Sequence, residues 1–362
     1  MQKKKVLLVS CTGLGNGGVQ AVIMSIVRNL SSKYLFDIIC FNRDDHYKAE
    51  FESYGGRVFL IENKNNRYDY YLQSGRIYRG CFKIMRENGP YDAVHCHNYF
   101  ESAVVLKAAK AVGISTRIAH SHNTSIHSSA NFLCRALENK YKRMISKLAT
   151  DRLGCSRGAC EFLYGEDSAI VVHNAIDLEK YNKNIFPQRS PDGAVRMLHV
   201  GRYCDQKNQL FLIDIFSEYL KKNSNAYLSF VGFGNDKDKV RAKIDEMSLT
   251  DKIDMLPHDS DVAKVMSEND VVVFPSKFEG LGIVLIEAQA MGLRCFVSDA
   301  VPLEADLGNC MYIPLAEGAE KWARIIDEDL NKNGTQKRYV DMSAYDINNV
   351  VKIYDSLYSA QG

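Results

Sequence analysis

The chain has 362 residues, 46% of them hydrophobic and 25% charged, which is the balance of a soluble globular protein too long for one ordinary core. No apolar run approaches the roughly 18–20 residues of a membrane span, and the run after Lys3-Lys4-Lys5 stops at Val9, too short for a signal peptide. The net charge of +2 hides an uneven split: residues 1–180 carry 25 Lys+Arg and 17 Asp+Glu (+8), which leaves 21 and 27 (−6) for the rest.

Residues 5–10 read as a buried strand, followed by a Gly-rich stretch and a helical pattern to Leu30. Gly13, Gly15 and Gly18 fit the dinucleotide spacing GxGxxG. The strand at 36–41 ends in Asn42 and Arg43, however, so the acidic ribose partner of a dehydrogenase is missing. A loop that admits a phosphate is the broader reading, and a plain turn is the alternative. Strands at 57–61, 91–96, 116–120 and 151–156 then alternate with helices at 70–87, 100–112 and 131–149, as in a parallel sheet covered on both faces.

Four histidines fall at two strand ends, His95 with His97 and His120 with His122. Zinc is one reading of two HxH pairs, a structural role is another, and a polar contact to substrate is a third. No acidic or Cys ligand accompanies them, so no metal is expected. The helix at 131–149 is basic and amphipathic, with Arg135, Lys140, Lys142, Arg143 and Lys147 opposite Leu133, Leu137, Tyr141, Met144, Ile145 and Leu148. It suits an anionic membrane surface or an ordinary solvated face.

The stretch 181–194 is polar, holds Pro187 and Pro191, and reads as an interdomain linker. The pattern then restarts, with strands at 195–200, 226–232, 253–256, 271–274, 294–298 and 311–314, and a tail helix at 342–358. Arg202 and Lys207 follow the first of these strands and can clamp a diphosphate. The strand at 271–274 enters a turn with Glu279, Gly280 and Gly282, and a helix begins near Ile283. A strand, a Gly turn and a helix start make an anion site. The added carboxylates, Glu279 and Glu287, suit a ligand with hydroxyls beside its phosphates, such as a nucleotide sugar.

These elements together resemble the retaining glycosyltransferases of family 4, bacterial capsule and exopolysaccharide branch. The resemblance rests on Gly17-Gly18, Arg117-Ile118-Ala119-His120-Ser121-His122-Asn123-Thr124, Asn174-Ala175-Ile176-Asp177, Gly201-Arg202 with Lys207-Asn208, Val231-Gly232-Phe233-Gly234, Pro275-Ser276, and Glu279 with Glu287. Ala175 stands where the family has Gly. The resemblance implies an α/β GT-B fold: two Rossmann-like doubly wound domains facing across a cleft, at 1–185 and 195–345, with a helix at 346–362 crossing back to the first.

It also implies roles. Arg202 and Lys207 neutralise the donor diphosphate, helped by the amides of Leu281, Gly282 and Ile283. Glu287 holds the ribose and Glu279 orients the sugar, with Gly280 in their turn. His122, or His120, contacts the reacting sugar, and Gly17 and Gly18 leave room for phosphate and acceptor. The implied substrates are a UDP-sugar donor and a polyprenyl-diphosphate saccharide acceptor. No cofactor, metal or nucleic-acid partner is expected. The ten scattered cysteines without CxxC spacing fit reduced thiols in a cytoplasm, and the basic half fits the inner face of a membrane. A nucleotide-sugar epimerase of the same fold and a non-catalytic nucleotide-sugar-binding subunit are the alternatives.

Overall fold

The computed structural model describes residues 3–10, 13–15, 17–62, 67–97, 99–123, 132–165, 169–186 and 192–360, and, of residues 67–72, 132–135 and 183, the backbone only. Arg135 and Leu133 of the basic-helix expectation therefore lie outside the described side chains, and Thr124 lies outside the described residues. The chain divides into two compact units, one of Met1–Ala175 with Ile347–Gly362, the other of Ile176–Asp346.

The first unit runs β1 (Lys4–Ser10), α1 (Gly18–Leu30), β2 (Tyr34–Cys40), α2 (Lys48–Ser53), β3 (Val58–Leu60), α3 (Arg67–Asn88), β4 (Ala93–Cys96), α4 (Glu101–Val112), β5 (Thr116–Ser121), α5 (Phe132–Leu148), β6 (Asp151–Gly154), α6 (Arg157–Tyr164) and β7 (Ile170–Val171). Its seven strands pair in parallel in the order β3-β2-β1-β4-β5-β6-β7. Alternation along β1 explains its unbroken apolar run: Val6 and Leu8 enter one core with α1, while Leu7 and Val9 enter the other with α3 and α4. Helix α4 stops where Gly113 takes φ 91°, a left-handed cap costly for any residue with a Cβ.

The second unit runs β8 (Val195–Val200), α7 (Gln209–Leu220), β9 (Ala226–Val231), α8 (Lys237–Glu246), β10 (Ile253–Leu256), α9 (Val262–Glu268), β11 (Val271–Phe274), α10 (Ile283–Ala290), β12 (Arg294–Ser298), β13 (Cys310–Ile313) and α11 (Gly318–Asn333). The parallel order is β10-β9-β8-β11-β12-β13. One core gathers α7, α8 and α11 around Trp322, and the other gathers α9 and α10. Both sheets reverse their order beside the first strand, at β1/β4 and at β8/β11. In such sheets the crevice at the strands' carboxyl ends at this reversal binds ligands.

Three expectations change. The first unit ends at Ala175 rather than 185, because Ile176 and Tyr181, from the stretch read as domain end and linker, are buried in the second unit's core. Ile176 N–H donates to Tyr345 O at 2.9 Å, so both chain crossings are tied within that unit. The tail helix begins at Ile347, not 342, since Met342 and Tyr345 belong to the second core. This helix, α12 (Ile347–Ser359), is part of the first unit, where Val350, Tyr354 and Tyr358 are buried against α1 and β2. Helices α2, α6, α8 and α11 were not anticipated from the sequence pattern. Among the described residues no helix is long and apolar enough to cross a membrane.

Candidate functional site

In the second unit, β11 is completely buried and delivers Pro275 to Gly282 to the switch point. Gly282 takes φ 77° and caps α10. Leu285 N–H is bonded back to Gly282 O at 2.8 Å, which leaves the earlier amides, including those of Leu281, Gly282 and Ile283, at the positive end of the helix. Leu281 is buried and anchors the turn, while a methyl on Gly280 would meet nothing within 4 Å.

The turn is laced to the loop after β8. Lys277 N–H donates to Gln206 O at 2.8 Å, Gln206 Nε2 to Phe278 O at 2.9 Å, and Asn208 Nδ2 to Pro275 O at 3.1 Å. Lys277 pairs with Asp205. Lys207 Nζ meets Glu279 Oε1 at 2.6 Å, with the two side chains only 13% and 6% exposed, and lies 4.5 Å from the centre of the Phe274 ring. Two sequence-predicted site residues are thus in direct contact: the cation assigned to phosphate neutralises the carboxylate assigned to sugar. Arg202 is exposed, and its carbonyl accepts from Gln209 Nε2 at 2.8 Å. The Gly201 and Gly232 turns touch, so that a Cβ on Gly232 would lie 2.0 Å from Gly201 O. The VGFG stretch therefore serves loop packing.

Glu287 lies one turn into α10 beside the Tyr181 phenol, and burial pushes its carboxyl up to about 7. Tyr181 carries no signal in the sequence, where it falls in the stretch read as a linker. His199 was also missed. Its Nδ1–H donates to Val273 O at 2.9 Å and burial pushes the ring down to about 4. Its Nε2 has no partner.

In the first unit, Gly17 caps α1 and Gly18 opens it; a Cβ on Gly18 would meet nothing within 4 Å, whereas one on Gly17 would fall 2.3 Å from Gln20 Oε1. Gly13 and Gly15 have a packing reason instead. Gly13 takes φ 73° against Asn42 and Asp44, and a Cβ on Gly15 would fall 1.8 Å from Asp44 Oδ2. The GxGxxG spacing thus follows from the close approach of two loops.

The four histidines meet on one sheet face. His95 Nδ1 is 2.6 Å from Tyr358 OH and His95 Nε2 is 3.3 Å from His120 Nδ1. His97 Nδ1 is 3.0 Å from His122 Nε2. Burial holds His95, His97 and His120 well below the ordinary imidazole range and His122 at about 4, so all four are neutral near pH 7. His120 is wholly enclosed, whereas His122 keeps some exposed surface. Ring nitrogens of His95, His97 and His120 come within 4.8 Å of one another, a spacing that could hold a metal ion, but that group contains no carboxylate or thiolate.

Two Rossmann-like units, each with functional groups at its switch point, define the GT-B class. Residues 16–180 match the family described as Glycosyltransferase Family 4, and residues 180–339 match Glycosyl transferases group 1. The putative glycosyltransferase EpsF of Bacillus subtilis (strain 168) is 30% identical over 342 residues, 90% of this chain and 87% of that one. The Escherichia coli UDP-Gal:alpha-D-GlcNAc-diphosphoundecaprenol alpha-1,3-galactosyltransferase is 26% identical over 235 residues, 60% of each chain. The crystal structure of Anabaena Alr3699/HepE in complex with UDP and glucose has the same fold, with TM-score 0.71, 17% identity, and 99% and 100% of the two chains covered. The chain belongs to the family 4 glycosyltransferases.

Proposed function

We propose that this glycosyltransferase moves a sugar from a UDP-sugar, with retention at the anomeric carbon, to a polyprenyl-diphosphate-linked saccharide during capsule or exopolysaccharide assembly. The observation that carries the reading is the second unit's switch point. There Lys207, Glu279, the start of α10 and Glu287 converge on one turn.

Arg202 and Lys207 stabilise the departing diphosphate, and the α10 amides add fixed partial positive charge. Glu287, once ionised, accepts from neighbouring ribose hydroxyls. Glu279 turns from Lys207 to the sugar hydroxyls when phosphate takes the lysine. The cations do the work of a divalent ion, so the transfer needs no metal. Without a marked covalent nucleophile, the leaving phosphate assists attack on the same face. His122 and His120 are assigned to the reacting sugar. Two relatives support the substrates: the E. coli enzyme is named for UDP-Gal and a diphosphoundecaprenol acceptor, and HepE was solved with UDP and glucose.

Membrane contact, in this reading, is electrostatic and the protein is cytoplasmic. The apolar face of α5 is used in the first unit's own core, where Tyr141 and Ile145 are buried and Met144 and Leu148 pack. Lys142, Arg143 and Lys147 remain around a shallow cavity of about 480 Å³, available to anionic headgroups.

The test is a thermal-shift panel of nucleotide sugars, followed by transfer assays with the best binder, a polyprenyl-diphosphate saccharide and EDTA. Stabilisation by a UDP-sugar and an α-linked product from an α-linked donor are expected, with EDTA harmless. Inversion, or epimerised sugar without acceptor, would refute the reading.

A further inference from the structure

The four histidines can be assigned protons one by one. They share a face because β4 and β5 run parallel with His95 opposite Ile118, which carries His97 alongside His120. A neutral imidazole has one N–H and one lone pair, so each ring-to-ring hydrogen bond fixes the next ring once an end group is known.

One chain starts at α12. The buried Tyr358 hydroxyl lies 2.6 Å from His95 Nδ1, and taking the phenol as donor places the His95 proton on Nε2. His95 Nε2–H donates to His120 Nδ1 at 3.3 Å. The His120 proton is then on Nε2, on the side of the Val172 backbone but without a hydrogen-bond partner.

The other chain starts at Asn174. Its Oδ1 and His122 Nδ1 are both buried with no hydrogen-bond partner, and Asn174 is the side chain that acts on His122. A proton on His122 Nδ1 satisfies both atoms. His122 Nε2 then accepts from His97 Nδ1–H at 3.0 Å. That leaves His97 Nε2 as a bare lone pair, buried and without a partner. His120 Nε2 and His122 Nδ1 are also buried without a hydrogen-bond partner, but in this assignment both carry protons, so His97 Nε2 is the bare acceptor of the cluster. Buried polar atoms in native proteins are seldom left so. His97 directly follows β4, and its N–H donates to Val9 O of β1 at 3.0 Å, which puts it at the switch point where this kind of sheet takes its ligand.

We propose that His97 Nε2 accepts a hydrogen bond from a hydroxyl of the saccharide bound by the first unit, and that His122 and Asn174 are positioning residues that hold His97 in the tautomer this requires. The proposal rests on the glycosyltransferase reading and moves the direct sugar contact from His122 to His97.

Two measurements test it separately. Ring-15N NMR of the ligand-free protein reads the tautomers without any activity. Nδ1–H is expected in His97 and His122, and Nε2–H in His95 and His120. Tyr358→Phe should disturb only the His95 and His120 signals, and Asn174→Leu only those of His122 and His97. A proton on His97 Nε2, or a shift of these nitrogens on adding Zn2+, overturns the wiring whatever the enzyme transfers.

The second measurement is kinetic. His97→Asn keeps a donor near the Nδ1 position and removes the Nε2 acceptor. It should raise the saccharide acceptor's KM roughly tenfold and leave the donor's KM unchanged. His97→Gln, which keeps a polar group near Nε2, should recover part of the loss, and it stands in should the Asn variant not fold. An unchanged acceptor KM in the folded Asn variant, or an equal rise in donor KM, overturns the contact. A complete absence of transfer in the wild-type chain would instead count against the function reading.

Discussion

At the residue scale, the groups assigned to the donor are held in states that a bound ligand would change. Lys207 and Glu279 neutralise each other in a nearly enclosed pair. Removing one partner strands the other, at a cost of about 3 kcal/mol, whereas removing both with apolar side chains is close to neutral. Lys207→Met should therefore lower unfolding stability by about that amount, and Lys207→Met with Glu279→Leu should recover most of it while staying inactive. Urea unfolding of the two single variants and the double variant checks this, and additive losses would refute it. Glu287 is a second such case. Its folded carboxyl titrates near 7, above the ordinary value of about 4.3, so between these values the folded chain binds the extra proton. Its contribution is intact below about pH 4.3 and is lost as pH rises through 7, up to about 3 kcal/mol and less with its partial exposure. Glu287→Gln should thus gain stability relative to wild type from pH 5 to pH 8. With Glu287 holding the ribose as proposed, UDP should bind wild type about tenfold more tightly at pH 8 than at pH 6. A flat difference in stability together with a flat affinity would show that Glu287 is not held protonated.

At the element scale, the glycines separate into those that packing needs and those that a ligand would. Gly232 faces the carbonyl of Gly201 at 2.0 Å from any added Cβ, and backbone cannot swing aside as a side chain can. Gly232→Ala should cost about 1–3 kcal/mol and weaken nucleotide binding by displacing the loop that carries Arg202 and Lys207. A methyl on Gly280 meets nothing, so Gly280→Ala should leave the melting temperature unchanged and impair only donor binding, if the turn approaches a ligand as its sequence implies. Thermal melts with and without UDP separate the two, and equal behaviour would refute the distinction. The strands were legible for a simple reason. A strand buried on both faces is largely apolar, and β8, β11 and β12 were found at the residues expected. Helices α8 and α11 were not, because both are largely polar, with their core contacts made by a few residues such as Val240, Ile244, Trp322 and Ile326. Lys207, Glu279 and Glu287 were legible from their place after a strand. Tyr181 was not, since nothing in a polar, Pro-containing stretch says that one tyrosine will be folded onto α10. The histidine pairs were visible as HxH, but the hydrogen bonds that rank them depend on Asn174 and Tyr358, which come from distant parts of the chain.

At the scale of the whole molecule, the first unit is not a contiguous piece of sequence. It is completed only by α12, which follows the second unit in the sequence. Val350, Tyr354 and Tyr358 are buried in its core, Tyr34 OH donates to Asp355 Oδ1 at 2.7 Å, and Tyr358 meets His95. Large side chains buried in this way contribute about 1.5–3 kcal/mol each, and a domain's whole stability is about 5–15 kcal/mol. Loss of three of them, with the backing of the histidine cluster, is comparable to the entire stability of the unit. The second unit, Ile176–Asp346, has its own two cores and does not draw on α12. Truncation after Asp346 should therefore unfold one unit and spare the other. Limited proteolysis with mass spectrometry should show cleavage throughout residues 3–175 and a persistent fragment near 176–346, and calorimetry should show one of two transitions lost. In the proposed function UDP should still stabilise the truncated chain, because the groups assigned to the donor all lie in the surviving unit. Equal resistance of both units, or loss of both together, would mean that α12 is an accessory rather than a structural part of the first.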